Sequence, residues 1–237
     1  MSRALFFAMP IHLLSRSSLA FPPVEEAEPS GLLAVGGDLG VARLVTAYEQ
    51  GVFPWYSAGY PILWWSPSPR LILEPERLHV SSSLRRAMNK HPFRITLDQD
   101  FAGVIKGCAE TLRPDEGGTW IVPDMIRAYE TLHALSLAHS AEAWLDGELV
   151  GGVYGVALGG VFFGESMFHA APDASKAVFA TLVRWLRARG CTLIDCQQTT
   201  PHLLRFGAQE IGRREFLRHV LLERDSQALS GRWSLDG

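Results

Sequence analysis

The chain has 237 residues, 47% of them hydrophobic and 20% charged, enough to bury a substantial core and too apolar for a disordered segment. Its net charge of −3 excludes nucleic-acid binding through overall basicity, so any such contact needs a local patch. Cys108, Cys191 and Cys196 cannot all pair with one another; they form no disulfide framework and fit a reducing cytosol.

Arg3 and the apolar run Ala4 to Leu14 superficially resemble a secretory leader. Pro10 and His12 interrupt the run, which is also too short to span a membrane, so an ordinary N-terminal segment is expected. Phe21 to Pro29, with three prolines and three glutamates, reads as extended surface chain. Gly36-Gly37-Asp38 lacks the glycine and Lys-Ser/Thr of a phosphate loop and reads as a turn. A short helix near Val41 to Gln50 ends at Gly51. Between Phe53 and Pro69 lie three Trp, two Tyr, one Phe and four Pro. They read mainly as the core of a small domain, although Trp55 or a neighbour could present a stacking face to a base.

From Arg70 to Arg94 the charge changes sign, six Lys/Arg against two Glu giving +4. Ser81, Ser82 or Ser83 can cap a helix carrying Arg85, Arg86 and Lys90. That face is either simply solvated or a contact for phosphates, which would make binding salt-dependent. Arg94 to Leu97 reads as a strand, and Asp98 or Asp100 as the cap of a helix reaching Cys108. A loop at Pro114 to Gly118 precedes Pro123, which suits the first turn of a helix through Tyr129 and Leu132.

The informative stretch is Leu149 to Gln197. Asp146-Gly147 and Gly159-Gly160 predict hairpins joining three antiparallel strands, His139 to Leu145, Leu149 to Val156 and Val161 to Phe168. Gly151, Gly152, Gly155 and Gly164 weaken those strands unless something must approach their backbones, and a ligand is expected to do so. Glu165 and Asp195 are carboxylates in apolar strands, costly unless used or paired. Asp173 is placed to cap a helix from Ala174 to Arg189, stopped by Gly190. The strand Thr192 to Gln197, a short helix at His202 to Phe206 and an amphipathic stretch near Glu215 to Arg224 follow. This is an α+β order, closer to the acyltransferase architecture of N-acetyltransferases, where the acyl group sits in a split of the sheet, than to a βαβ repeat.

Several chemistries fail on the residues. Gly164-Glu165-Ser166-Met167 has Phe168 where a nucleophile elbow needs glycine. Cys191 and Cys196 have no His pair to complete a zinc site. For a CoA-dependent N-acyltransferase, His169-Ala170-Ala171-Pro172-Asp173 lacks the glycine-rich turn that presents amides to a pyrophosphate.

Gly31-Leu32-Leu33-Ala34, Gly36-Gly37-Asp38-Leu39, Gly51-Val52-Phe53-Pro54-Trp55 and Ile62-Leu63-Trp64-Trp65-Ser66-Pro67 with Pro69-Arg70 carry a resemblance. So do Gly118-Thr119-Trp120-Ile121, Ala138-His139-Ser140 and Leu149-Val150-Gly151-Gly152. The series continues with Phe163-Gly164-Glu165-Ser166-Met167-Phe168, Ala174-Ser175-Lys176 and Leu193-Ile194-Asp195-Cys196-Gln197. Over Phe21 to Leu217 the chain resembles the leucyl/phenylalanyl-tRNA–protein transferase family. It departs at Ser68 (often Asp), His169 (usually Ser), Arg205-Phe206 (commonly Ser-Leu) and Thr200 (Asn in some members).

The resemblance implies a bacterial cytosolic, monomeric enzyme with no membrane association. It moves Leu or Phe, with Met as a further donor, from aminoacyl-tRNA to an N-terminal Arg or Lys of a protein, marking that protein for degradation. It implies no metal and no CoA or other cofactor. Its fold would be a small N-terminal domain, here residues 1–70, and an acetyltransferase-like (GNAT-like) mixed-sheet domain, residues 71–237. Asp195 and Gln197 are carried over to the reacting centre, with Glu165 on the acceptor's cationic residue unless an internal Arg pairs with it. Trp120 and Tyr129 are carried over as ligand contacts, Tyr48 and Trp55 as contacts to the terminal adenosine, and Arg85, Arg86 and Lys90 as acceptor-stem contacts. Val153, Phe162, Met167 and Ile194 are candidates for the apolar side-chain pocket, Met being the most adaptable.

The chemistry needs placement above all. The donor ester is already activated, and an α-amine of pKa about 7.7–8.0 is partly neutral near pH 7. A primary amide is not a base there, so Gln197 is expected to orient the amine or carbonyl. Asp195, on the same strand face by the two-residue period, would fix Gln197 or hold the ammonium. The runner-up reading is a CoA-dependent N-acyltransferase of similar fold.

Overall fold

The computed structural model describes residues 11–90, 93–111 and 120–235, and two sheets carry the architecture. The apolar run through residue 10, the loop at 114–118 and the Gly118-Thr119 part of its motif lie outside the described residues. The smaller sheet takes β1 (His12–Leu14), β2 (Leu32–Gly36), β3 (Phe53–Pro54) and β4 (Leu63–Trp65) in the order β1-β2-β4-β3. Helix α1 (Val41–Glu49) packs beside it. Gly36 and Gly37 have φ of 90° and 75°, the turn expected there. Most of the aromatic cluster is core: Trp64 is fully buried, donates its indole N–H to Gly36 O at 2.9 Å and meets Phe21 edge-on.

The larger sheet has the order β11-β5-β10-β9-β8-β7-β6. Its strands are β5 (Arg70–Leu73), β6 (Arg94–Leu97), β7 (Ala138–Leu145), β8 (Glu148–Leu158), β9 (Val161–His169), β10 (Leu193–Gln197) and β11 (Gln209–Ile211). All pairings are antiparallel except that of β9 with β10. This is the α+β order read from the sequence, a small N-terminal sheet followed by a mixed sheet. Helices α3 (Phe101–Glu110) and α4 (Pro123–Ala134) join the core on one face, which also takes in the smaller sheet. Helices α2 (Ser82–Lys90) and α5 (Ala174–Ala188) cover the other. Helices α6 (Pro201–Leu204) and α7 (Arg213–Glu223) complete the chain order. Among the described residues no helix is long and apolar enough to cross a membrane.

The turn chemistry works as read. Asp146 and Gly147 both have positive φ, 52° and 87°, the geometry of the two-residue hairpin between β7 and β8. Asp100 caps α3 by accepting from Gly103 N at 2.9 Å, and Ser81 Oγ accepts from Leu84 N at the start of α2. Asp173 does not cap α5 with its side chain. It is left-handed at φ 64° and its carboxylate holds Lys176 at 2.5 Å.

Three of the four strand glycines make room for protein, contrary to the ligand reading. A Cβ on Gly151 would sit 2.8 Å from Ala174 of α5, and one on Gly152 would sit 2.7 Å from Val104 of α3. On Gly155 it would reach 2.3 Å from Phe163 O. Helices and strands pack too closely there for any side chain.

Two bulges shape the centre of the sheet. Strand β9 pairs with β8 through Gly155↔Gly164 and then Tyr154↔Ser166, which leaves Glu165 as the extra residue. Strand β10 pairs with β5 through Asp195↔Ile72 and then Gln197↔Leu71, leaving Cys196 extra and Gln197 at φ 60°. Parallel pairing of β9 with β10 ends at Asp195↔Phe163. Beyond that point the strands diverge and the sheet splits.

Candidate active site

A cavity of about 340 Å³ fills the split. The diverging strands supply Gly164, Glu165, Ser166 and Met167 on one side, and Ile194 to Gln198 on the other. The smaller sheet contributes Phe53 and Trp55, and Trp120 precedes α4; Val153, Phe179 and Leu203 complete an apolar wall. Bulges bend a strand and re-aim its side chains, and here they free Glu165 and Gln197 from the regular alternation of the pleat. Of the proposed substrate contacts, Trp55, Trp120, Val153, Met167 and Ile194 line the cavity. Phe162 does not: it is 1% exposed, tilted against Trp233 and packed under Gly155, on the face covered by α5. It is core.

Glu165 forms the floor. Its Oε1 accepts from Tyr48 Oη at 2.8 Å and from Gln197 Nε2 at 2.8 Å, and its Oε2 accepts from Tyr129 Oη at 2.9 Å. Tyr48 Oη and Tyr129 Oη are themselves 2.5 Å apart. Both tyrosines are fully buried and lie behind the carboxyl, which corrects their expected place against the adenosine or another ligand. Three oxygen–oxygen contacts thus close a ring, but two hydroxyls supply only two protons. A protonated Glu165 would supply the third by donating to one hydroxyl, which then donates to the other hydroxyl instead of to the carboxyl. Burial pushes Glu165 up to about 7 against the opposing effect of its hydrogen-bond donors, while the charge of Asp195 adds to the rise. Burial, then the Glu165 charge, raises both tyrosines well above their ordinary value.

Asp195 is not a free anionic post. It is fully buried and takes Arg70 Nε at 2.8 Å and Arg70 Nη2 at 2.6 Å, a bidentate pair. Its Oδ1 also accepts from the backbone N–H of Gln197 at 2.8 Å. Asp195 therefore fixes the main chain of Gln197, and the bulge at Cys196 replaces the same-face arrangement predicted from a two-residue period. The amide of Gln197 is turned to Glu165 instead. Glu165 likewise has tyrosines and a glutamine for partners, not the internal arginine considered as its alternative.

Arg70 was not singled out from the sequence, although the signal was present: a cation opening the apolar run Leu71-Ile72-Leu73 obeys the same burial argument as Glu165 and Asp195. It lies over the rings of Phe53 at 4.7 Å and Phe216 at 4.6 Å, so the smaller sheet, β10 and α7 all meet on one guanidinium. Cys196 lines the cavity, but burial and the Asp195 charge hold its thiol up, which leaves it protonated and a poor nucleophile. Arg85, Arg86 and Lys90 are exposed on α2, outside the cavity. Among the described residues no group of three or more His, Cys, Asp or Glu could hold a metal ion.

Residues 72–221 match the family described as leucyl/phenylalanyl-tRNA protein transferase, and residues 37–68 match the N-terminal domain of the same enzyme. The chain belongs to that family. A leucyl/phenylalanyl-tRNA–protein transferase of Solidesulfovibrio magneticus is 59% identical over 215 residues, 91% of this chain and 87% of that protein. One from an Anaeromyxobacter species is 56% identical over 228 residues, 96% and 97% of the two chains. Among solved structures, L-PGS from Bacillus licheniformis overlaps 66% of this chain and 50% of its own at 14% identity, with a TM-score of 0.40.

Proposed function

We propose that the protein transfers Leu or Phe, with Met as a further donor, from aminoacyl-tRNA to the N-terminal Arg or Lys of acceptor proteins, creating a degradation signal. Membership of the family supplies the reaction. The observation that carries it to this site is the cavity in the split sheet, apolar along one wall and ionisable at its floor. Met167, Ile194 and Val153 offer the apolar side to a Leu or Phe side chain, and Met adapts to either shape. Trp55 and Trp120 are the aromatic surfaces available to the terminal adenosine.

The chemistry follows from holding the amine beside the ester carbonyl, worth several kcal/mol of barrier. Gln197 Nε2 is committed to Glu165, which leaves the amide oxygen to accept from the attacking amine. Asp195 acts through the Gln197 backbone, with Arg70 as its counter-charge. Glu165 carries its proton until a cation arrives; the acceptor's ammonium or cationic side chain then favours ionisation, so binding the acceptor releases a proton. The amine attacks the ester carbonyl, the tetrahedral intermediate expels the 3′ oxygen, and the proton lost by the amine ends on that oxygen as the 3′ hydroxyl re-forms.

Arg85, Arg86 and Lys90 are taken as outer contacts to the acceptor stem, supported by their exposure and common charge. The change of sheet between Trp65 and Arg70 supports a division into domains 1–70 and 71–237, with Arg70 already in the larger sheet. The three free cysteines support a cytoplasmic location, and a monomer is taken as the working unit.

The deciding assay mixes the protein with labelled leucyl-tRNA and a peptide beginning with Arg. Label is expected in the peptide. No transfer, with acetyl-CoA supporting acylation instead, would overturn the reading in favour of a CoA-dependent N-acyltransferase.

A further inference from the structure

A second cavity, of about 500 Å³, lies beside the first, and His202 belongs to the wall of both. It is bounded by the first turn of α2, the start of α5 and the residues that follow α6. Lys176 and Arg205 bring fixed positive charge, and His79 and His202 add two imidazoles. Among the described residues Asp173 is the one carboxylate in the wall, and it is already bound to Lys176. Among the described residues His202 Nε2 is buried with no hydrogen-bond partner. Burial, then the charges of Lys176, Arg205 and His169, hold His202 below its ordinary value, so the basic groups are close enough to oppose one another's charge. With Lys176 offset by Asp173, Arg205 leaves the described wall with one net positive charge, and with the two imidazoles beside it the cavity is suited to an anion.

We propose that this cavity holds the phosphodiester backbone of the RNA strand leading to the aminoacylated end, with Lys176 and Arg205 as its phosphate contacts. The inference rests on the transferase reading above. The acceptor protein is the wrong occupant, because its N-terminal Arg or Lys would meet cations. Phosphates are the right one, and a volume of this size admits a nucleotide. The shared wall at His202 lets a strand pass from one cavity to the next while its ester sits beside Glu165 and Gln197. The phosphate path thus runs by α5 and α6 at the mouth of the site, and the exposed cations of α2 lie further out along it.

Steady-state transfer to an Arg-initiated peptide, with leucyl-tRNA varied, tests this in Lys176→Gln and Arg205→Gln. Each is expected to raise the KM for leucyl-tRNA about tenfold, the loss of one charge-assisted contact. kcat and the peptide KM at saturating leucyl-tRNA should stay unchanged. The slope of log affinity for tRNA against log salt should become shallower by about 0.7 for each lost single-strand phosphate contact. An unchanged KM and salt slope overturn the proposal, as does a fall in kcat with tRNA affinity intact, which would mean a structural role. If the wild-type protein transfers nothing, the transferase reading falls, and this inference falls with it.

Discussion

Replacing Glu165 by Gln removes a buried carboxyl that folding drives from 4.5 to about 7. A raised carboxyl value means that the folded state takes up a proton the unfolded chain has lost. The residue's contribution to stability is therefore complete below the unfolded value and is lost as pH rises through the folded one. The shift of about 2.5 units corresponds to about 3 kcal/mol at 1.36 kcal/mol per unit. The stability of Glu165→Gln relative to wild type should thus climb by about 3 kcal/mol from about pH 4.5 to about pH 8, with about 1 kcal/mol of that climb complete near pH 5.5. Urea unfolding of both proteins across that range, extrapolated linearly to water, measures it. Constant tyrosine contacts cancel in the pH dependence, so only the proton is read. A difference that stays flat within about 0.5 kcal/mol would refute the protonated ring and leave an ordinary ionised carboxylate at the floor of the cavity.

Arg70→Met leaves the Asp195 carboxylate buried without its cation and should cost about 3–5 kcal/mol in chemical unfolding, whereas Arg70→Met with Asp195→Asn should recover part of the loss. No recovery would mean that the packing of Arg70 on Phe53 and Phe216 outweighs its charge. Gly155→Ala forces a methyl against the Phe163 carbonyl, and a cost of about 1–3 kcal/mol or more should lower the thermal midpoint by at least a few degrees; an unshifted midpoint would show that the two strands can separate there. Met167→Ala should change the leucyl-to-phenylalanyl ratio of kcat/KM by about tenfold in favour of the larger donor, and an unchanged ratio removes Met167 from the aminoacyl pocket.

What the sequence made legible was local. Asp146-Gly147, Gly159-Gly160, Pro123 and Asp100 each act on neighbours a few residues away, and the elements they bound are present. Strand β5 was missed because all four of its residues are buried, which leaves no alternation for a period-two reading. The partnership of Arg70 with Asp195 spans 125 residues, so no spacing argument reaches it. The charge of Glu165 and Asp195 in apolar strands marked the right place, but burial has two resolutions that composition cannot separate: Asp195 found a cation, and Glu165 found hydroxyls. The bulges at Glu165 and Cys196 depend on pairing partners in other strands, and they decide where Gln197 points. The glycines were read as space for a ligand when the closest approach came from α3, α5 and strand β9.

Helix α7 has a consequence for how the protein is made. Its Phe216 backs Arg70, its Phe216 and Leu217 crowd Gly51, and the carbonyl of Glu223 receives the N–H of Gly160 at the β8–β9 turn. A segment translated after every described strand thus completes the contacts of Gly51 and Arg70, both from the first third of the chain. A nascent chain that stops before α7 can have both hairpins and the split, yet Arg70 then has water where Phe216 should be. A chain that lacks α7 therefore keeps its strands but leaves the interface around Arg70 and Gly51 open.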